Sequence, residues 1–171
     1  MFQSVLLATR VPDHEKCKLY TRQLINVKVN PDNGDVSIQE SILFAKGSTE
    51  LKPEGKAFLR RFIPVYSGVI FSKPEFDQEI SRVVIEGHTS SEGDDKTNLQ
   101  LSLLRASSVY TYIFYDMNFP TKASLSQKIL AAGRGEIESD KKRDNPGDRK
   151  VVFRFQFRSD ELKKDITKSS L

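Results

Sequence analysis

The sequence predicts an α+β fold in β-α-β-α-β-β order, with helices packed on one face of a mixed β-sheet, and three stretches carry that prediction. Val83-Val84-Ile85, closed by Gly87, is a near-continuous β-branched run of strand length, the pattern of a buried central strand. From Asn98 onward Leu99, Leu103, Ala106, Val109, Tyr110, Ile113 and Met117 recur on one arc of a helical wheel, which predicts an amphipathic helix. Val151, Phe153, Phe155 and Phe157 alternate with Val152, Arg154, Gln156 and Arg158, as in a strand with one face on a core.

The remaining elements follow in chain order. Residues 24 to 29 alternate apolar and polar, the segment from Asn30 to Asp35 has turn chemistry, and Val36 to Ile38 resumes the alternation, so a β-hairpin is expected. After the apolar pair Leu43-Phe44, the run Lys52-Pro53-Glu54 places a proline and an acid where a first helical turn favours them. That helix is expected from Pro53 to about Phe71, with a kink or break at Pro64. Asn98 is a suitable N-cap for the next helix, and Pro120 should close it. Residues 129 to 132 and 151 to 157 then read as strands separated by a polar Asp, Lys and Gly loop. The organisation expected is an arm or linker over residues 1–22, one domain over 23–158, and a charged tail over 159–171.

Composition narrows the function. The 171 residues are 37% apolar and 29% charged, suited to one folded domain. Lys and Arg number 27 against 23 acids, a formal charge of +4 spread along the chain. The densest basic segment, Lys141 to Arg143, is flanked by Asp140 and Asp144 and has no interleaved aromatics, so no nucleic-acid partner is expected. Cys17 is the single cysteine, and only His14 and His88 supply imidazoles, which leaves no basis for a disulfide, a thiolate zinc cluster or a redox pair. No cofactor or metal is expected. No stretch approaches the ~20 apolar residues of a spanning helix, and residues 1–8 lack the features of a secretory signal.

The segment Val84-Ile85-Glu86-Gly87-His88-Thr89-Ser90, followed by Asn98, Leu101, Ser102, Arg105, Ala106 and Val109 at fixed spacing, resembles the signature of the OmpA C-terminal family. That pattern is a strand ending in Gly-His-Thr-Asp, then Asn-x-x-Leu-Ser-x-x-Arg-Ala-x-x-Val. Flanking blocks agree: Leu51-Lys52-Pro53-Glu54-Gly55 is similar to the family's helix start, Gly133-Arg134-Gly135-Glu136 to its Gly-x-Gly-Glu turn, and Asp148-Arg149-Lys150-Val151 to its closing strand. The resemblance spans about Val36 to Phe157. It implies a non-enzymatic domain that holds the diaminopimelate residue of a peptidoglycan stem peptide, as OmpA, Pal and MotB do. Blocks such as Gly34 to Ile38 with Ile42-Leu43-Phe44 further resemble B subunits of Zorya-type anti-phage stators. This implies a periplasmic homodimer beside an inner-membrane motor subunit, tethered by an N-terminal helix absent from this chain.

On that resemblance the peptidoglycan-binding residues are Thr89, Ser90, Asn98, Leu99, Arg105 and Arg149. The chemistry of the types agrees. Asn98 and Arg105 are two helical turns apart, so their side chains project from one side, about 10 Å apart along the axis. Arg105 is expected to lean toward the helix N-terminus, where unpaired N–H groups and the dipole also favour an anion. A guanidinium grips a carboxylate through two hydrogen bonds, which Lys cannot reproduce. Read without the family pattern, Arg105 is better explained as a surface arginine paired with Glu92, Asp94 or Asp95, and the pattern reverses that preference.

One departure stands out: the family's acid after Gly-His-Thr is Ser90 here, so the group expected to meet the ligand's ammonium is uncharged. A charge-assisted hydrogen bond is roughly twice as strong as a neutral one. An alternative is therefore a degenerate module that serves protein–protein interaction or dimerisation, and Glu92, Asp94 or Asp95 are candidates for a compensating carboxylate. His88 with Ser90, Ser91 and Asp94 has the letters of a hydrolase triad, but a short polar loop specifies neither a positioned nucleophile nor an oxyanion hole. His88 is expected to be a strand-end residue tied into the loop.

Overall fold

A computed structural model describes residues 27–30 and 32–158. The expected arm over 1–22 and tail over 159–171 lie outside the described residues. Strands β1 (Val27–Val29), β2 (Val36–Gln39), β3 (Ile80–His88), β4 (Ile129–Gly133) and β5 (Lys150–Phe157) form a single sheet in the order β1-β2-β5-β3-β4. Only β3 and β4 are parallel, and the other three pairings are antiparallel. The sheet is mixed, as expected, and β3 is its buried interior strand.

Helices α1 (Glu40–Leu43), α2 (Pro53–Ile70), α3 (Pro74–Glu79), α4 (Asp95–Thr111) and α5 (Lys122–Ser126) connect these strands, and a π-helical turn, Tyr112–Asp116, extends α4. The β5 alternation works as anticipated: Val83 stands opposite Phe155, and Ile85 opposite Phe153, across the β3–β5 pair. Tyr66 of α2 meets Phe153 edge-on at 5.3 Å and stacks on Phe155 at 5.5 Å, while Phe62 meets Phe153 at 5.4 Å. Such pairs add about 0.5–1.5 kcal/mol each beyond the area they bury. This aromatic seam fixes α2 on the sheet.

The first long helix has the extent expected of it, α2 running from Pro53 to Ile70, and of the kink or break expected at Pro64 the break is absent, the proline lying inside the helix. A mid-helix proline costs about 3 kcal/mol or more, but Phe58, Phe62, Tyr66 and Ile70 are all buried on either side of it, and that burial offsets the cost. The start of α4 moves. Asp94, not Asn98, is the N-cap, its side chain accepting the Thr97 amide at 3.0 Å.

The apolar arc of α4 is rotated from the one its letters suggest. Leu99 and Leu103 are 48% and 47% exposed, whereas Asn98, Ser102, Arg105, Ala106 and Val109 are buried. Polar residues hold the inward face because α4 lies against β3 and β4 at backbone range: a Cβ on Gly87 would stand 2.0 Å from the Ser102 carbonyl oxygen, and one on Gly133 2.7 Å from the Leu103 nitrogen. At that distance large side chains do not fit between the layers.

Candidate functional site

The site forms where the β3–α4 loop, the first turns of α4, the β2–α1 junction and the start of β5 converge. Thr89 and Ser90 leave β3 and are buried, 3% and 2% exposed. The Thr89 amide donates to the Gly135 carbonyl at 2.9 Å, and the Gly135 amide donates to Ser102 Oγ at 2.9 Å, so the Gly-x-Gly turn is stitched to both the loop and the helix. Asn98 draws the loop closed. Its Nδ2 donates to the Glu92 carbonyl at 3.1 Å, to Glu136 Oε2 at 2.7 Å and to the Ser90 carbonyl at 3.4 Å. Asn98 is thus a buried staple of the loop.

Arg105 is not the open fork that its spacing suggested. It is 3% exposed, its Nη2 donates to Glu40 Oε1 at 2.6 Å, its Nε donates to the Ser48 carbonyl at 3.0 Å, and its guanidinium lies 5.5 Å from the Phe44 ring centroid. The partner is none of Glu92, Asp94 and Asp95 but an acid 65 positions away. Burial pulls the Arg105 pKa below its ordinary value, and the Glu40 carboxylate works in the opposite direction.

Arg149 forms the outer layer. With 23% of its side chain exposed, its Nη1 donates to Ser90 Oγ at 3.0 Å and to Asp144 at 2.9 Å, approaches Glu92 at 3.5 Å, and its Nε stands 3.6 Å from Glu40 Oε2. The Ser90 hydroxyl also bonds Asp144, which with Arg149 holds that carboxyl below the ordinary aspartate range. The structure therefore links Ser90, Arg149, Glu40 and Arg105 through successive contacts. Asn98 ties to the same loop from below, and Leu99 stands beside it with about half its surface in solvent.

Sequence reasoning missed Glu40, Asp144 and Glu136 as members of this cluster. Glu40 had no local signal, being an isolated acid where β2 ends. Asp144 reads as a loop acid beside basic residues. Only Glu136, in the Gly-x-Gly-Glu turn, sat within a block already singled out.

The hydrolase arrangement is not formed. Ser90 Oγ is taken by Arg149, Ser91 Oγ donates to the carbonyls of Asp140 and Arg143, and Asp94 caps α4. His88 is buried on the sheet face away from the helices, its Nε2 3.4 Å from Glu86 and its Nδ1 3.8 Å from Glu138. Among the described residues no group of three or more His, Cys, Asp or Glu is placed to hold a metal.

The model of the OmpA family matches residues 43–152, a span that contains the glycine contacts, the stapled loop and both arginines. The chain belongs to the OmpA family. Domains of the OmpA family bind peptidoglycan and are non-enzymatic. The OmpA-family domain here is 32% identical over 126 residues to the Zorya protein ZorB of Escherichia coli, a match covering 66% of this chain and 52% of ZorB. The chain thus spans about half the length of that relative. Its fold is similar to that of a MotB-like protein from Desulfovibrio vulgaris, with a TM-score of 0.56 at 21% identity, covering 90% of this chain and 94% of that one. It is also similar to the cell wall anchor of the T6SS from Pseudomonas aeruginosa, with a TM-score of 0.51 at 19% identity, covering 80% and 92%. Among the described residues no helix is long and apolar enough to cross a membrane.

Proposed function

We propose that this OmpA-family domain binds peptidoglycan non-covalently through a diaminopimelate-type stem peptide and thereby anchors a stator or another envelope protein to the cell wall. The observation that carries this reading is the 3.0 Å hydrogen bond between Ser90 and Arg149, which joins the loop and closing-strand blocks of the motif. Arg149 is the guanidinium offered to a ligand carboxylate, with Arg105 behind it. Its present acids, Asp144 and Glu92, are 42% and 55% exposed, and exposed pairs of this kind contribute about 0–1 kcal/mol, so a ligand displaces them at small cost. In their place a stem-peptide carboxylate makes the bidentate pair that arginine geometry favours. Thr89, Asn98 and Arg105 hold the frame, and Leu99 offers apolar surface beside it.

The larger setting follows from the relatives. ZorB is a Zorya protein, and the fold is shared with a MotB-like protein, so a periplasmic position, a partner among inner-membrane motor subunits and a homodimeric assembly belong to the same proposal. Titration calorimetry of the domain with a muropeptide containing diaminopimelate is the deciding experiment. Heat of saturable binding is expected from the wild-type chain, with most of it lost in Arg149→Ala; the absence of heat from the wild type ends the reading.

One observation favours a second reading. The Arg105 guanidinium is already occupied by Glu40, as in a module whose ligand site has become internal structure. That module has no muropeptide affinity and instead self-associates or holds a protein partner, which light scattering together with the same calorimetry distinguishes.

A further inference from the structure

Glu40 is the acid that joins the two arginines, yet only half of its carboxylate is used. It is 8% exposed, and its Oε1 accepts the Arg105 Nη2 hydrogen at 2.6 Å. Its Oε2 is buried and has no hydrogen-bond donor; the Arg149 Nε stands just beyond range at 3.6 Å. A buried acceptor without a donor costs about 1–3 kcal/mol, and more when charged, so an orphan oxygen retained at the centre of a cluster calls for a donor that arrives from outside.

Three features specify that donor. Arg149 is what lies over Oε2; its nearest acids, Asp144 and Glu92, are partly exposed, and by turning its head outward it gives up on the buried side the Ser90 hydrogen bond and the 3.6 Å approach to Glu40. The charges of the cluster balance: Arg105, Arg149 and Lys46 stand against Glu40, Glu92 and Asp144, with Lys46 3.9 Å from Glu92. A zwitterion, which adds one charge of each sign, preserves that balance where a simple anion or cation does not. Ser90 is also committed, its hydroxyl engaged by Arg149 and Asp144, and it carries no charge with which to meet an ammonium.

We propose that Glu40 is the acidic half of the ligand site, its Oε2 accepting a hydrogen bond from the ammonium of a zwitterionic amino-acid end while Arg149 turns outward to take the carboxylate of that same end. An ammonium is compact and carries three donors, so it enters the space the guanidinium leaves. The proposal rests on the wall-binding reading and assigns within it the residue that recognises the amine.

The test compares two ligands against the full chain: a stem tripeptide ending in diaminopimelate, and the same tripeptide with the side-chain amine of diaminopimelate acetylated. Acetylation removes one charge-assisted hydrogen bond and is expected to weaken binding to the wild type about tenfold or more. In Glu40→Gln the two ligands bind alike to within about threefold, because a neutral amide does not distinguish them by charge. Asp144→Asn keeps the wild-type preference. Thermal melts accompany each variant. If Glu40→Gln does not fold, Glu40→Asp, which keeps the charge but withdraws it by one methylene, is read instead and shows a reduced preference. A Glu40 variant that weakens both ligands equally, leaving their ratio at the wild-type value, overturns the proposal and makes Glu40 purely a partner of Arg105. So does loss of the preference in Asp144→Asn alone. A wild type that binds neither tripeptide overturns the wall-binding reading itself, and this inference with it.

Discussion

Gly87 and Ser102 meet at backbone distance: a Cβ built on the glycine would lie 2.0 Å from the serine carbonyl oxygen and 2.7 Å from its carbonyl carbon. The atoms in the way are main chain, so neither a rotamer change nor a flexible tip relieves the overlap. This approach places the early turns of α4 over the end of β3. The β3–α4 loop, whose Ser90 meets Arg149, begins just after this approach.

Gly87→Ala is accordingly expected to destabilise the domain by about 3 kcal/mol, at the upper end of overpacking costs, because helix and strand must separate. Urea denaturation measures this directly. A loss below 1 kcal/mol would mean that the layers part easily and that their close contact does not set the site.

The Arg105–Glu40 pair is a stability element whatever the ligand. Arg105→Met takes away the donor to Glu40 Oε1 and leaves that buried carboxylate only the Arg149 Nε at 3.6 Å, which should cost about 3 kcal/mol. Glu40→Gln leaves the guanidinium similarly exposed to burial without its counter-ion. The double variant should cost much less than the two singles together, since an apolar and a neutral side chain need no partner there. A double-mutant cycle from denaturant melts gives the coupling, and additive losses would show that the pair is not a unit.

Arg149→Ala separates binding from folding. Its side chain is 23% exposed and its closest acids face solvent, so stability should fall by no more than about 1 kcal/mol. Muropeptide affinity should drop at least tenfold, the effect of losing one bidentate charge pair. Equal affinities in variant and wild type would move the ligand contact elsewhere.

Asn98→Ala removes a buried amide whose nitrogen serves Glu92, Glu136 and Ser90. The carbonyl groups left behind are expected to cost about 1–3 kcal/mol. Hydrogen exchange should quicken in residues 89–94 before the sheet is affected, and unchanged protection there would remove Asn98 from its role as staple.

The pH dependence of stability follows from carboxyls held below their ordinary range. Asp144 is lowered by the Ser90 hydroxyl and by Arg149. For Glu138, burial pushes upward, but His88 and the nearby arginines outweigh it and leave the group lowered. A depressed acid releases its proton more readily when folded, so its contribution is complete above the unfolded pKa and disappears as pH falls through the folded one. Asp35 runs the other way. Burial raises it against the pull of Arg154, so in the folded chain it favours the protonated form and its contribution shrinks as pH rises through the carboxylate range. Thermal midpoints taken from pH 7 to pH 3 should therefore decline through and below the ordinary carboxylate range, softened by Asp35. A midpoint that climbs steadily on acidification contradicts these assignments.

Much of this protein was legible from its letters, because the signals were local. The β-branched run at Val83 to Ile85 and the alternation from Val151 to Phe157 each report a burial pattern that any neighbouring element must satisfy. Turn chemistry between Asn30 and Asp35 placed the hairpin, whose described strands pair Val27 with Ile38. The spaced motif from Gly87 to Val109 gave the family, and with it the segments that meet at the site.

The sequence by itself determined the five strands and the two long helices, that they build a layered α+β domain, and which blocks carry the binding motif, since periodicity and turn chemistry act over a few residues; the short helices α1, α3 and α5 left no such signal. Only the tertiary structure decided that polar residues line the inner face of α4, because two glycines draw that helix to backbone distance from the sheet and leave no room for leucine. It alone also decided that Arg105 is buried against Glu40 while Arg149 faces solvent. Those pairings join residues tens of positions apart, and a charge chooses its partner by distance and burial in space, neither of which is written into the spacing of letters along the chain.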